Sequence, residues 1–186
     1  MNYDQLIKNW HSKASDEDYF SKFVFEYLAF VAYLRKKAFR EVSNDRAAIQ
    51  RLKQDDAIRS RYLERIESER ELKTAWETIS IELERFRLGN ASGSSDEVEE
   101  IKWWNCSHAH LHEKTKEEHN RTMGVIHSLS DWENMVEFWY SIRNNLFHGG
   151  KNPQDERDQL LVHNGYTTLR PLMEIFLRNQ NRGQSD

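Results

Sequence analysis

Ser130-Asp131-Trp132-Glu133-Asn134-Met135-Val136-Glu137-Phe138-Trp139-Tyr140-Ser141-Ile142-Arg143-Asn144-Asn145-Leu146-Phe147-His148-Gly149-Gly150 is the stretch whose reading decides the fold. Its first four residues have the form of a capping box, with a hydroxyl at the first position and a carboxylate three residues on, so a helix is predicted to start there. Trp132, Met135, Val136, Trp139, Ile142 and Leu146 then recur at helical spacing and define one buried stripe. Gly149-Gly150 closes it, because glycine readily adopts the left-handed conformation at which helices end. A helix that buries two indoles on one face needs other helices to cover it.

The remainder of the chain supplies them. Two prolines and seven glycines in 186 residues, with 31% charged side chains, favour long helices over a turn-rich sheet. Six Trp, seven Tyr and nine Phe offset a mean hydropathy of −0.90. The reading is an all-α bundle of five or more helices, with an aromatic core, a charged exterior and a single domain over residues 1–186.

Met1 to Trp10 forms a leading helix docked by Leu6, Ile7 and Trp10. Ser15-Asp16-Glu17-Asp18, a near capping box, opens a strong helix with Phe20, Phe23, Val24, Tyr27, Leu28, Val31 and Leu34 as its stripe and Arg35, Lys36, Lys37 and Arg40 at its negative end. Asn44 or Asp45 caps a piece through Ala48, Ile49 and Leu52. One longer helix is predicted from about Asp56 to Leu88, with the charge-filled Glu67 to Glu71 leaving the core. Residues 89–96 read as a flexible loop. From about Asp155 a last helix carries Leu161, Val162, Leu169, Leu172, Met173 and Phe176, with Gly165 marking a close approach, Pro171 a kink or restart, and 179–186 a frayed tail.

Several function classes recede. A net charge of −4 disfavours nonspecific coating of nucleic acid but leaves room for a focused RNA site. One cysteine, Cys106, forbids an intramolecular disulfide and fits a reducing cytoplasm. No signal sequence or membrane span is expected: the apolar run Phe20 to Leu34 carries charges and is too short. His108, His110, His112 and His119 lack the paired spacing of a structural zinc site, so neither metal nor other cofactor is expected.

The helix end carries the chemistry. Arg143 falls within the apolar stripe, where a guanidinium must face a cleft, a partner chain or a core acid such as Glu26, because an uncompensated buried charge is costly. Asn144 and His148 are four residues apart and share a face while the helix lasts. An arginine there can neutralise a phosphoryl oxygen, a histidine can move a proton, and an asparagine can orient either. The alternative is a structural arginine and a surface histidine.

Arg143-Asn144-Asn145-Leu146-Phe147-His148 resembles the R-x4-6-H signature of the HEPN superfamily, in which a polar residue often follows the arginine directly. Phe23 to Leu34 is similar to an early helix of many such domains, and the setting of the motif agrees, with a helix before it and Gly149-Gly150, Lys151-Asn152-Pro153 and a terminal amphipathic helix after it; residues 44–126 are not diagnostic. The resemblance implies a helical bundle that dimerises. Active members are metal-independent endoribonucleases, often toxins or components of antiviral and stress systems, whose Arg and His from both protomers line one cleft. Carried over, Arg143 and His148 are the catalytic pair, Asn144 supports them, and Glu26 and Asn145 are weaker supporting candidates. RNA, a second copy of the chain and an antitoxin or regulatory protein are the implied partners. The family also holds inactive members that bind RNA, nucleotide or protein. A purely structural interaction protein built on the long charged helix is a third reading.

Overall fold

The structure, a computed structural model, describes residues 2–14, 18–86, 88 and 124–182, and these are all-α. In chain order the helices are α1 (Tyr3–Lys13), α2 (Tyr19–Tyr33) continued by a π-helical turn (Leu34–Ala38), α3 (Asp45–Lys53), α4 (Asp56–Ser68), α5 (Arg70–Arg85), α6 (Trp132–Phe147) and α7 (Glu156–Arg182). The predicted 89–96 loop, Cys106, the four clustered histidines and Trp103-Trp104 lie outside the described residues.

Local chemistry sets most starts. Asn2 accepts from the Gln5 N–H, Asn44 from Ala47 and Asp55 from Ile58, each satisfying an otherwise unpaired first-turn donor. Helix α2 begins at Tyr19, with Asp18 Oδ1 accepting from the Phe20 and Ser21 N–H groups, so the described cap lies three residues beyond Ser15. The Ser130 capping box does not form. Asp131 stands at the N-cap, but its Oδ2 accepts from the His127 N–H and Asn134 Nδ2, and Ser130 pairs with the Ser128 hydroxyl.

Helix α2 packs along both α1 and α7, α5 lies on α7, and α3 covers α6. The buried arc of α2 runs through Phe23, Glu26, Tyr27, Phe30 and Tyr33, while Leu28 is 37% exposed and Phe20, Val24 and Val31 are half-buried. The helix is therefore rotated from the predicted stripe, because α1 and α7 cover it from two sides and draw in Phe30 and Glu26.

The long helix predicted over residues 56–88 is two helices. The chain turns at Glu69, whose ψ of 105° is extended, and Ile66 and Leu72 on either side are buried. The charged stretch leaves the core as expected, with Glu67, Ser68, Arg70 and Glu71 exposed, but Glu69 is tied back: Arg65 takes both its oxygens, at 2.6 and 3.0 Å, and also Glu174 and the Pro171 carbonyl of α7. Phe86 lies past the end of α5 and is exposed.

Helix α7 runs unbroken through Pro171 to Arg182, so the predicted restart is absent and the helix enters the expected tail. Proline supplies no N–H and crowds the preceding turn. The carbonyl that loses its in-helix donor is that of Thr167; around it, Tyr62 donates to the Thr168 carbonyl at 2.6 Å and Arg65 to that of Pro171, which fastens α7 to α4 on either side.

Trp139 of α6 sits at the centre of the core. Its ring centroid lies 5.5 Å from Trp76, 5.7 Å from Tyr62 and 6.2 Å from both Trp132 and Phe30. Each buried indole N–H is satisfied: Trp139 by Thr168, Trp76 by Tyr62, and Trp132 by the Leu52 carbonyl. At Gly165 a Cβ would meet Phe23 Cε2 at 3.2 Å, the close approach of α2 and α7 that the sequence predicts. The α6 stripe is thereby fixed, with Trp132, Met135, Val136, Trp139 and Ile142 buried and Leu146 half-buried.

Candidate functional site

The end of α6 is a Schellman motif. The Gly150 N–H donates to the Asn145 carbonyl at 2.7 Å and the Gly149 N–H to that of Leu146 at 3.2 Å, with Gly149 left-handed at φ +69°. His148 is the C-cap residue, its N–H donating to the Asn144 carbonyl at 3.0 Å. Lys151 and the Asn152 N–H both engage Asp158 on α7, which ties down the chain leaving the turn. The arginine, both asparagines and the histidine are therefore held in one rigid helix terminus.

Arg143 is half-buried. Its Nη1 donates to the side-chain oxygen of its neighbour Asn144 at 2.9 Å, and its Cζ lies 4.7 Å from the Phe147 ring centroid and 5.9 Å from that of Tyr27. No carboxylate pairs with it among the described residues. Two aromatic faces and a neutral amide hold the guanidinium without cancelling its charge. Asn144 is 6% exposed, with its oxygen committed to Arg143 rather than to His148. Asn145 is also buried, and its carbonyl closes the helix end. The His148 ring is exposed. Helical geometry turns position 148 about 140° from position 143, so the two side chains do not converge within one chain.

Glu26 is not at this site. It is fully buried and accepts a 2.7 Å bond from, or shares a proton with, His11 Nδ1 of α1; it makes no salt bridge to Arg143. Burial raises its pKa, against the lowering effect of His11. The core acid beneath α6 is instead Glu137, buried and contacted by Arg46 at 2.7 Å and by Lys53. Burial lowers the pKa of Lys53, and Glu137 opposes that shift. Arg46 also covers the Tyr140 ring at 5.3 Å, and Arg35 is paired with Asp45 at 3.1 Å.

Two residues join the site that the sequence did not assign to it. Tyr27 reaches from α2 to Arg143; its hydroxyl is buried without a hydrogen-bond partner, and burial pushes its pKa well above the usual phenol value. Phe147 covers Arg143 from the solvent side and is 57% exposed. The signal for Phe147 was its place four residues after Arg143; for Tyr27, which comes from another helix, there was none. No group of three or more potential ligands for a metal occurs among the described residues. No described helix is long and apolar enough to cross a membrane.

No family model matches the chain, and neither a curated protein nor a solved structure does.

Proposed function

We propose that the protein is a HEPN-type endoribonuclease, independent of metal, that cleaves RNA in a site shared by two copies of the chain. The observation that carries this reading is Arg143: a half-buried guanidinium with no carboxylate partner among the described residues, oriented by Asn144 and fixed five residues before an exposed histidine. A cation held in this way is suited to a phosphodiester.

In the reaction the ribose 2′-oxygen attacks phosphorus, the P–O5′ bond breaks, and the products are a 2′,3′-cyclic phosphate and a 5′-hydroxyl. The net proton transfer is from the 2′-OH to O5′. His148 performs it as base and acid, and Arg143 neutralises the charge that develops on the phosphoryl oxygens. Because Arg143 and His148 diverge on one helix, a second copy brings its own pair to the same cleft. RNA is the substrate, the cytoplasm is the setting, and an antitoxin or regulatory protein would restrain such an activity in a toxin or antiviral system.

One observation favours a second reading, a non-catalytic helical module that binds RNA, nucleotide or protein. Cations on the elements beside α6 are already paired, Arg35 with Asp45 and both Arg46 and Lys53 with Glu137, so these add little free positive charge to that of Arg143. Incubation of the purified chain with total RNA separates the two. The nuclease reading expects cleavage that Arg143→Ala lowers by about 10²–10³ and His148→Ala by about 10²–10⁴. Binding without cleavage supports the module.

A further inference from the structure

We infer that the open face of the Phe147 ring is a stacking platform for the base next to the scissile phosphate, so that the protein takes RNA as an unpaired strand. The inference rests on the ribonuclease reading and adds the feature of RNA that is recognised. Phe147 occupies the last helical position of α6, directly before His148. The Arg143 guanidinium lies 4.7 Å from its centroid, yet the residue is 57% exposed. One side of the ring is thus occupied by the cation that would hold a phosphate, and much of the rest faces solvent beside the proton-transfer group.

Isolated exposed aromatics are ordinary on protein surfaces, so exposure alone carries no weight. The arginine makes the difference. Phe86 is also exposed beneath an arginine, but that arginine, Arg157, is paired with Glu82 at 2.8 Å. The cation on Phe147 has no carboxylate among the described residues. An aromatic face and an uncancelled guanidinium in contact on one helix end match a base and its adjoining phosphate, while His148, turned away from Arg143, acts in the cleft that the second copy completes. Stacking needs a base free of its partner strand, because a paired and stacked base offers no open face.

The test uses a fluorescently labelled single-stranded RNA made resistant to cleavage by 2′-O-methylation, with anisotropy as the readout. Wild type, Phe147→Ala and Phe147→Trp are compared, together with oligonucleotides carrying one abasic position at a time. Phe147→Ala is expected to weaken binding about 5- to 100-fold. Phe147→Trp should retain it, and at one abasic position wild type and Phe147→Ala should bind alike. Equal binding by wild type and Phe147→Ala overturns the inference, as does a loss that no abasic position removes, or one that tracks a change in oligomeric state by sedimentation. Failure of binding by wild type overturns it too. The two proposals separate cleanly: RNA cleavage with Phe147→Ala unimpaired removes the platform and leaves the nuclease, whereas base-dependent binding without any cleavage removes the nuclease and leaves the platform.

Discussion

Tyr27→Phe should make the protein more stable while leaving the Arg143 clamp in place. The Tyr27 hydroxyl is buried without a hydrogen-bond partner, and folding therefore strips it of water without replacement. Such a group costs about 1–3 kcal/mol. Removing the oxygen keeps the ring that faces Arg143 at 5.9 Å. The expected gain is about 1–2 kcal/mol in urea denaturation at neutral pH, or roughly 2–8 °C in melting temperature for a chain of this size. A second signature lies at alkaline pH. In the unfolded chain the phenol ionises near 10.0, while in the folded protein burial holds it protonated well above that. Above the unfolded value the unfolded state has lost a proton that the folded state keeps, so stability falls as pH rises. Tyr33 and Tyr62 are shifted the same way, also by burial. Tyr27→Phe should remove one proton's share of that slope, up to about 1.4 kcal/mol per pH unit. A loss of stability at neutral pH would refute the reasoning, because it would mean the hydroxyl makes a bond worth keeping.

Glu137→Gln should cost about 3–5 kcal/mol, because it leaves the buried Lys53 without its counter-charge. Part of that loss should return as pH rises towards 10.5, where Lys53, already shifted down by burial, sheds its proton more readily in the folded state than in the unfolded one; denaturation at several pH values checks both. Gly165→Ala should destabilise by about 1–3 kcal/mol, since its Cβ would press on Phe23 at 3.2 Å, and Phe23→Leu in the same chain should recover part of the loss.

What the sequence revealed, and where it failed, follows from how local the physics is. The α6 stripe was legible because Trp132, Met135, Val136, Trp139 and Ile142 obey one helical period and face one core. The Gly149 terminus was legible because glycine is the residue that a left-handed cap favours. The face of α2 was misjudged because two neighbours cover it, and no period within the segment records that. The break at Glu69 was missed because its cause is distant: Arg65 is drawn to Glu174 and to the carbonyl of Pro171. At the end of α6 the positions of Arg143, Asn144 and His148 could be read from one segment, but the pairing of Asn144 with Arg143 and not with His148 could not. Tyr27 could not, since it meets Arg143 only when α2 packs against α6, and Glu26, one residue earlier, faces His11 instead.

The most direct measurement is the end-group chemistry of RNA fragments made by the purified chain in EDTA. Fragments with 2′,3′-cyclic phosphates and 5′-hydroxyls are expected, formed at least about 10²-fold more slowly with either Arg143→Ala or His148→Ala. Fragments bearing 3′-hydroxyls and 5′-phosphates, cleavage undiminished in both variants, or intact RNA throughout would contradict the nuclease reading.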